Sequence, residues 1–452
     1  MQTRATSSRY MPPVNHRQTP PSPPLSLGVR YAGFYFFLVF AIWPLGRNVI
    51  TEGSLPSRFP LLVGVIMLAV AVKEGRKLRA VRGAVHYFLA FSLFFVASSA
   101  YGPKAPGLVE GIIGLLRSIG LGVALVYTIR TVADLQFFLK VFVWYGVIST
   151  CYGLFFMVPG LTNIGNMLLS LNLPSGKIPG AMRMVGFLSD PTYFGLSVMP
   201  ALLINVHSIL GSTTKMIKQS VDWVAVGMTV LLLLGILLSF SRTTWLGTAA
   251  GILILTGFQR QIMRTGFFFV IIFVFLQIAA PDEFLETALS ANQERTTFEI
   301  NERNDSRSGI WEAYFALATS NPLGYGMDSI EYLRLLPTTF TGGWAGSGVR
   351  PHNMYLYIWV ESGLQSLVPL LLLIGSSFSY AWKIRNYVDA QTGMSYGVLA
   401  MALLFSMVIG MFGLGGMLQL LSIAIATALA IWCLGVEGKL THVGQLQPTA
   451  RR

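Results

Sequence analysis

The chain has 452 residues, of which 53% are hydrophobic and only 11% are charged. Soluble domains carry about a quarter charged residues, so the composition excludes a soluble globular protein. The formal net charge of +13 fits basic cytoplasmic loops in contact with anionic lipid, and we do not interpret it as nucleic-acid binding. The two cysteines, Cys151 and Cys433, both fall in apolar runs and predict neither a disulfide nor a metal site.

Residues 1–28 are polar and rich in proline, which predicts a disordered cytoplasmic tail without a cleavable signal peptide. After it, apolar runs of roughly 16 to 22 residues recur, near the length that crosses a bilayer. The sequence therefore predicts an all-α polytopic membrane protein with about twelve transmembrane helices. The spans are predicted at 30–50, 58–73, 84–101, 108–130, 136–158, 187–209, 221–240, 243–258, 264–280, 356–382, 394–413 and 417–435.

These spans divide the chain into helices 1–9 within 29–280, a long loop at 281–355, helices 10–12 within 356–436, and a tail at 437–452. The spans at 58–73 and 243–258 are short, so either could be a re-entrant helix instead. With the N-terminus in the cytoplasm, inside segments hold twenty Lys and Arg and the short outside loops hold six. Because positive residues mark the cytoplasmic side, we expect both termini inside and the long loop outside.

The long loop is the richest polar segment, since residues 281–350 contain ten acids and five arginines. Within it, residues 308–317 place large side chains at helical spacing, and Asn-Pro-Leu-Gly-Tyr-Gly at 321–326 predicts a terminating turn. Acids in the cytoplasmic loops are scattered singly, whereas an enzyme using a soluble nucleotide-sugar with Mg²⁺ needs clustered carboxylates. The chemistry is therefore expected on the outer face.

Four arginines stand out. Arg117 lies within a predicted span, where a charge costs about 2.5–3.5 kcal/mol on insertion scales, so it requires a polar cavity or a partner such as Glu110. Arg183 precedes a span, Arg242 occupies a tight hairpin, and Arg307 lies four residues before Trp311 in the long loop. Each of these three could be an interface anchor that reaches into water, but all fall on one predicted face.

His352 lies in Arg350-Pro351-His352-Asn353, where the long loop returns to an apolar run. Pro351 and Asn353 suit a helix start, so the histidine could belong only to a cap. An imidazole can also take a proton from a hydroxyl near neutral pH, and arginines bind phosphate oxygens in a bidentate fork. A histidine among arginines suits transfer from a phosphate-linked donor to a hydroxyl.

Four ordered motifs resemble the O-antigen ligase and Wzy-type polysaccharide polymerase superfamily of bacterial inner-membrane glycosyltransferases. They are Arg-Met-Val-Gly at 183–186 followed by Asp-Pro at 190–191, Ser-Arg at 241–242, Arg-x-x-x-Trp at 307–311 with Pro-Leu-Gly-Tyr-Gly at 322–326, and His-Asn-Met-Tyr-Leu at 352–356 with Glu-Ser-Gly at 361–363. The resemblance covers about residues 180–380. Thr192 and Thr243 stand where the family often has Asn and Gly.

The resemblance implies that His352 is the catalytic base and that Arg183, Arg242 and Arg307 bind the diphosphate of a polyprenyl-linked glycan donor. Arg117, Asp190, Arg350 and Asn353 are candidates for supporting roles. It also implies inverting transfer without a metal or cofactor. The implied partners are the lipid-linked donor, a glycan or lipid A core acceptor, membrane lipid, a chain-length regulator and a flippase.

Three acceptors stay open, namely a growing exopolysaccharide or O-antigen chain, which we favour, lipid A core, and a protein hydroxyl. A transporter or flippase for lipid-linked sugar is the alternative of another class, and it predicts polar groups at the membrane midplane and an internal repeat. A purely structural assembly subunit is a third possibility. The ordered motifs favour transfer.

Overall fold

The computed structural model describes residues 24–42, 59–73, 78–102, 108–157, 177–178, 181–188, 190–213, 222–258, 307–327, 329–332, 351–389, 394–413 and 418–442. This part of the chain is mostly helical. The helices are α1 Leu27–Phe37 (continued by a π-helical turn, Leu38–Ile42), α2 Phe59–Lys73, α3 Arg82–Ser98 (preceded by a 3₁₀ turn, Leu78–Val81), α4 Leu108–Thr128, α5 Val132–Met157, α6 Pro191–Thr213, α7 Trp223–Leu238, α8 Arg242–Phe258, α9 Arg307–Ser320, α10 Ser329–Tyr332, α11 Met354–Ser362, α12 Leu364–Lys383, α13 Tyr396–Gly410 (continued by a 3₁₀ turn, Met411–Gly413) and α14 Leu418–Val436.

Two short antiparallel pairs accompany the helices. β1 (Lys177–Ile178) pairs with β2 (Ala181–Met184), and β3 (Tyr387–Val388) pairs with β4 (Thr441–His442). Neither pair forms part of a larger sheet within the described ranges. Their strands are two to four residues long and lie outside the helices, so both pairs position loops rather than build the core.

The membrane character of the chain rests on six described helices that are long and apolar enough to cross a bilayer. They are Arg79–Ser98, Val132–Phe155, Pro191–Leu210, Leu364–Lys383, Tyr396–Gly413 and Leu418–Val436. Shorter helices lie at the other predicted spans in the described ranges, and the predicted span at 264–280 lies outside them. Of the long predicted loop, only 307–327, 329–332 and the residues from 351 onward are described.

One predicted span is divided in the structure. The prediction placed a single helix at 356–382, whereas α11 ends at Ser362 and α12 begins at Leu364. Gly363 between them has φ +77, a backbone conformation that is strained for residues with a Cβ. Hydropathy does not mark this break because both flanks are apolar.

Helices α6, α13 and α14 form the buried centre of the bundle. In the membrane-spanning part, 83% of α6 and 78% of each of α13 and α14 is buried, against 17% for the span that contains α3. Helix α14 packs on α4, α12 and α13, while α13 packs on α8. Small residues permit these close approaches, as where Gly122 of α4 faces the Ser422 backbone and Gly247 of α8 faces the Ser406 backbone.

Polar contacts lie at two ends of the bundle. At one end, the buried carboxylate of Asp134 accepts hydrogen bonds from the backbone N–H groups of Ser26 (2.9 Å), Arg130 (3.2 Å) and Thr131 (3.0 Å). This carboxylate ties the start of α1 to the α4–α5 turn. The other end, which we call the motif end, is where α3 and α7 finish and where α6, α8 and α12 begin.

Candidate active site

His352 lies at the motif end in an unusual backbone conformation. Its side chain is exposed and its φ is +46, which is rare for a residue that is not glycine. Before it, the carbonyl of buried Pro351 accepts a hydrogen bond from the indole N–H of Trp311 (2.8 Å). After it, the Asn353 side chain caps α11 by accepting from the N–H groups of Tyr355 (3.0 Å) and Leu356 (3.2 Å).

Helix α9 lies alongside α11, so the predicted loop helix packs against the helix that follows His352. Phe315 of α9 meets Trp359 of α11 edge-to-face, with ring centroids 5.5 Å apart. A small separate core joins the two helices, and its buried residues are Ile310, Tyr314, Ala318, Ile330 and Val360. Arg307 is the first residue of α9, one turn before Trp311.

A turn at 321–326, which we call the clamp, closes over the C-terminus of α11. Its backbone N–H groups at Tyr325 and Gly326 donate to the carbonyls of Val360 and Glu361, both at 2.8 Å, and Leu364 N–H donates to the Pro322 carbonyl (2.8 Å). These bonds satisfy carbonyls that a helix end otherwise leaves without partners. The clamp therefore fixes α9 and α11 relative to each other.

Beneath the clamp, the carboxyl group of Glu361 is buried with 3% exposure. Burial raises the pKa of the Tyr314 phenol, and the nearby negative charge of Glu361 raises that pKa further. Tyr314 therefore remains a neutral hydrogen-bonding group. Glu361 lies nine residues after His352, near the other end of α11, so the pair serves to pack α9 against α11.

Arg242 begins α8 directly after a three-residue turn from α7. The turn is held by Ser241, whose hydroxyl accepts from Thr244 Oγ1 (2.9 Å), and by the Trp245 indole N–H, which donates to the Ile236 carbonyl (3.0 Å). Arg242 itself is exposed. It therefore presents a permanent positive charge at a helix N-terminus, a position that favours anions.

Arg183 lies in β2, which packs against α5, α6 and α7. The turn that follows contains Gly186 with φ +54, tucked against Phe194 of α6. Asp190 then starts α6, and its carboxylate accepts from the N–H groups of Thr192 (2.7 Å) and Tyr193 (3.0 Å). Asp190 thus caps the N-terminus of α6, and its supporting role at the site stays a prediction.

Contacts connect these elements into one region. A Cβ on Gly195 of α6 would lie 2.8 Å from Ser239 Oγ in the α7–α8 turn, so the start of α6 packs tightly on that turn. Thr243 fills the space beside Gly413, which has no room for a Cβ. The neighbouring Phe412 ring lies 5.0 Å from the Tyr355 ring, one turn after His352. The elements carrying Arg183, Arg242, Arg307 and His352 therefore converge at the motif end.

Two further sequence candidates stand apart from this chain of contacts. Arg117 lies in α4, one turn after Gly114. A Cβ on Gly114 would lie 3.7 Å from Met327 Cε. Its helix thus adjoins the residues that follow the clamp. Arg350 lies outside the described residues.

Sequence reasoning missed the supporting contribution of the N-terminal half. The end of α3 underlies the clamp, since the Ser98 carbonyl accepts from Met327 N–H (3.1 Å) and the Ser98 hydroxyl lies 3.0 Å from that of Ser362. Tyr101 donates to the Leu323 carbonyl (3.0 Å). A Cβ on Gly326 would clash with the Gly102 backbone, and one on Gly102 would clash with the Met327 backbone, so neither position has room for a side chain. Paired small residues at 98–102 and 324–326 are the only sequence signal of this contact.

Comparison with known proteins gives a family match for part of the chain. Residues 227–374 match the family model described as O-antigen ligase, a segment that runs from α7 through the clamp and His352 into α12. No curated protein matches the chain. The family consists of inner-membrane proteins with glycosyltransferase-like ligase and polymerase activities that use lipid-linked glycans. This match, over about a third of the chain, supports membership in the O-antigen ligase/Wzy family.

Proposed function

We propose that this protein transfers a glycan from a polyprenyl-diphosphate donor to an acceptor hydroxyl at the outer face of the bacterial inner membrane. The observation that carries the proposal is the convergence of His352, Arg242 and the elements bearing Arg183 and Arg307 at one end of the bundle. A base and several guanidinium groups at a membrane surface suit a donor that combines a diphosphate with a lipid. Both termini then lie in the cytoplasm, as the distribution of Lys and Arg predicts.

The proposed reaction is a single displacement. His352 takes the proton of the acceptor hydroxyl as its oxygen bonds to the anomeric carbon, and the bond from that carbon to the diphosphate oxygen breaks. The polyprenyl diphosphate leaves with the bonding electron pair. Attack opposite the leaving group inverts the anomeric configuration.

The arginines are proposed to supply the positive charge that the leaving diphosphate requires. Arg242 is exposed at the start of α8 and keeps its charge at any physiological pH. Arg183 and Arg307 are proposed as its partners, with Arg117 and Arg350 in supporting roles. Fixed cations at the position of developing charge stabilise a transition state without rearranging, so the proposed reaction needs no metal.

A growing exopolysaccharide or O-antigen chain is the acceptor that we propose, with lipid A core as the ligase alternative and a protein hydroxyl as the third candidate. The three differ in which purified acceptor becomes elongated. Presenting each separately to the reconstituted protein identifies the acceptor by the product formed.

The proposal is tested with purified protein in liposomes that contain a polyprenyl-diphosphate oligosaccharide, with acceptor and EDTA present. We expect new glycosidic bonds and one released polyprenyl diphosphate per bond, because the arginines replace a metal. Intact donor appearing on the opposite leaflet without bond formation would instead identify a flippase. Transfer that requires added divalent cation would contradict the metal-independent mechanism.

A further inference from the structure

The conformation of His352 requires an explanation beyond its chemistry. A φ of +46 is unfavourable for a side-chain-bearing residue. Such a conformation persists only where the neighbouring structure determines it, and it is concentrated at functional positions. Asn353 supplies one restraint through the two hydrogen bonds that its side chain accepts from α11.

The second restraint comes from a different element. Pro351 precedes His352 and its own φ is fixed by its ring. Its carbonyl, which belongs to the peptide group joining it to His352, accepts the Trp311 indole N–H at 2.8 Å. The peptide on the N-terminal side of the histidine is therefore oriented by α9, forty residues earlier in the chain.

Helix α9 is itself rigidly seated. Tyr314 and Ala318 are buried against Val360, Phe315 packs on Trp359, and the clamp bonds the end of α9 to the end of α11. The position of Trp311 relative to Pro351 is therefore fixed by the packing of α9. Arg307 begins the same helix one turn earlier, so a diphosphate bound there and the histidine backbone share one rigid element.

We propose that Trp311 is a positioning residue for His352, holding the histidine in its left-handed conformation through the hydrogen bond to the Pro351 carbonyl. This inference rests on the proposed function of His352 as the base. Without the bond, the Pro351–His352 peptide can rotate and the imidazole samples orientations that do not face the acceptor hydroxyl. The substrate-binding arginines are unaffected, so the defect falls on the chemical step.

The test compares Trp311→Phe with Trp359→Phe in the reconstituted transfer assay. Trp359 is a matched control because it lies in the same interface, yet its indole N–H is buried with no hydrogen-bond partner among the described residues. We expect Trp311→Phe to lower kcat about tenfold, which corresponds to the loss of one hydrogen bond. The donor KM and the unfolding temperature of Trp311→Phe should stay near those of the wild type. For Trp359→Phe, kcat, donor KM and unfolding temperature should all stay near the wild-type values.

Equal kcat values for the two variants, or a higher donor KM with unchanged kcat for Trp311→Phe, would overturn the inference. If Trp311→Phe does not fold, the benzothiophene analogue of tryptophan at position 311 removes only the N–H and keeps the shape, with the same expected and contrary results. Absence of transfer by the wild-type protein would refute the proposed function instead. The two failures are therefore distinguishable.

Discussion

At the scale of single residues, the candidate site combines an imidazole, which can exchange a proton, with guanidinium groups, which cannot. His352 is exposed and its backbone is held from both sides, while Arg242 is exposed at a helix start. Arginine does not lose its charge in proteins, whereas imidazole titrates near neutral pH. This difference supports the proposed roles, in which the arginines stabilise charge and the histidine transfers a proton.

Arg242 is the arginine whose role is most directly testable. Arg242→Gln removes a charged donor from the proposed diphosphate site, and we expect kcat/KM for the lipid-linked donor to fall roughly 10- to 100-fold. The kcat/KM of Arg242→Lys should lie between those of the wild type and Arg242→Gln, because lysine keeps the charge but loses the bidentate fork. The measurement is initial transfer rate against donor concentration.

The control for this prediction is Arg385→Gln. Arg385 is an arginine at the opposite end of the bundle, where its guanidinium stacks over Trp382 at 4.2 Å. Its loss should leave donor kinetics unchanged. Equal effects of the two substitutions would show that Arg242 acts only through the overall surface charge.

At the scale of elements, the clamp depends on glycine. Gly326 has φ +94 and lies against the Gly102 backbone with no room for a Cβ. Gly326→Ala therefore imposes both backbone strain and a steric clash. We expect a loss of about 3 kcal/mol or more in the free energy of unfolding, above the roughly 1–2 kcal/mol of a left-handed alanine alone.

Gly438 provides the matched comparison, because its φ is +70 and nothing lies within 4 Å of a Cβ at that position. Gly438→Ala should show only the conformational cost. Denaturant unfolding of both variants in detergent separates the two contributions. Equal losses of unfolding free energy in Gly326→Ala and Gly438→Ala would mean that the contact between the clamp and α3 has no steric constraint.

Sequence patterns predicted some elements well and others poorly. Residues 308–317 and 321–326 form the helix and turn that their spacing and turn residues indicated, and Asn353 caps a helix as expected. The break at Gly363 was missed because hydropathy is continuous across it. The contact of the clamp with α3 was missed, since it joins residues more than 220 positions apart and small residues at 98–102 and 324–326 are its main trace in the sequence.

At the scale of the whole molecule, polar contacts that join helices lie at one end of the bundle, and the candidate site residues lie at the other. The opposite end uses buried Asp134 and the bond between His207 Nε2 and the Ser395 carbonyl (2.9 Å) to tie helices together. The motif end instead leaves His352 and Arg242 exposed. The exposure of His352 and Arg242 at the motif end suits a reaction at a membrane surface.

The family match covers only part of the candidate site. The matched segment at 227–374 contains the α7–α8 turn, the clamp and His352, whereas Arg183 and Asp190 precede it. Contacts of β2 and α6 with α7 bring those earlier residues to the same end. The candidate site therefore contains residues from the matched segment and residues that precede it.

The most direct measurement is the rate of glycan transfer by purified His352→Ala beside His442→Ala, an exposed histidine on β4 at the opposite end of the bundle. Loss of a general base lowers rates by about 10²- to 10⁴-fold. We predict that His352→Ala loses at least about 100-fold in kcat while still binding the lipid-linked donor, and that His442→Ala transfers at the wild-type rate. Transfer by His352→Ala at the rate of His442→Ala would contradict the assignment of His352 as the base.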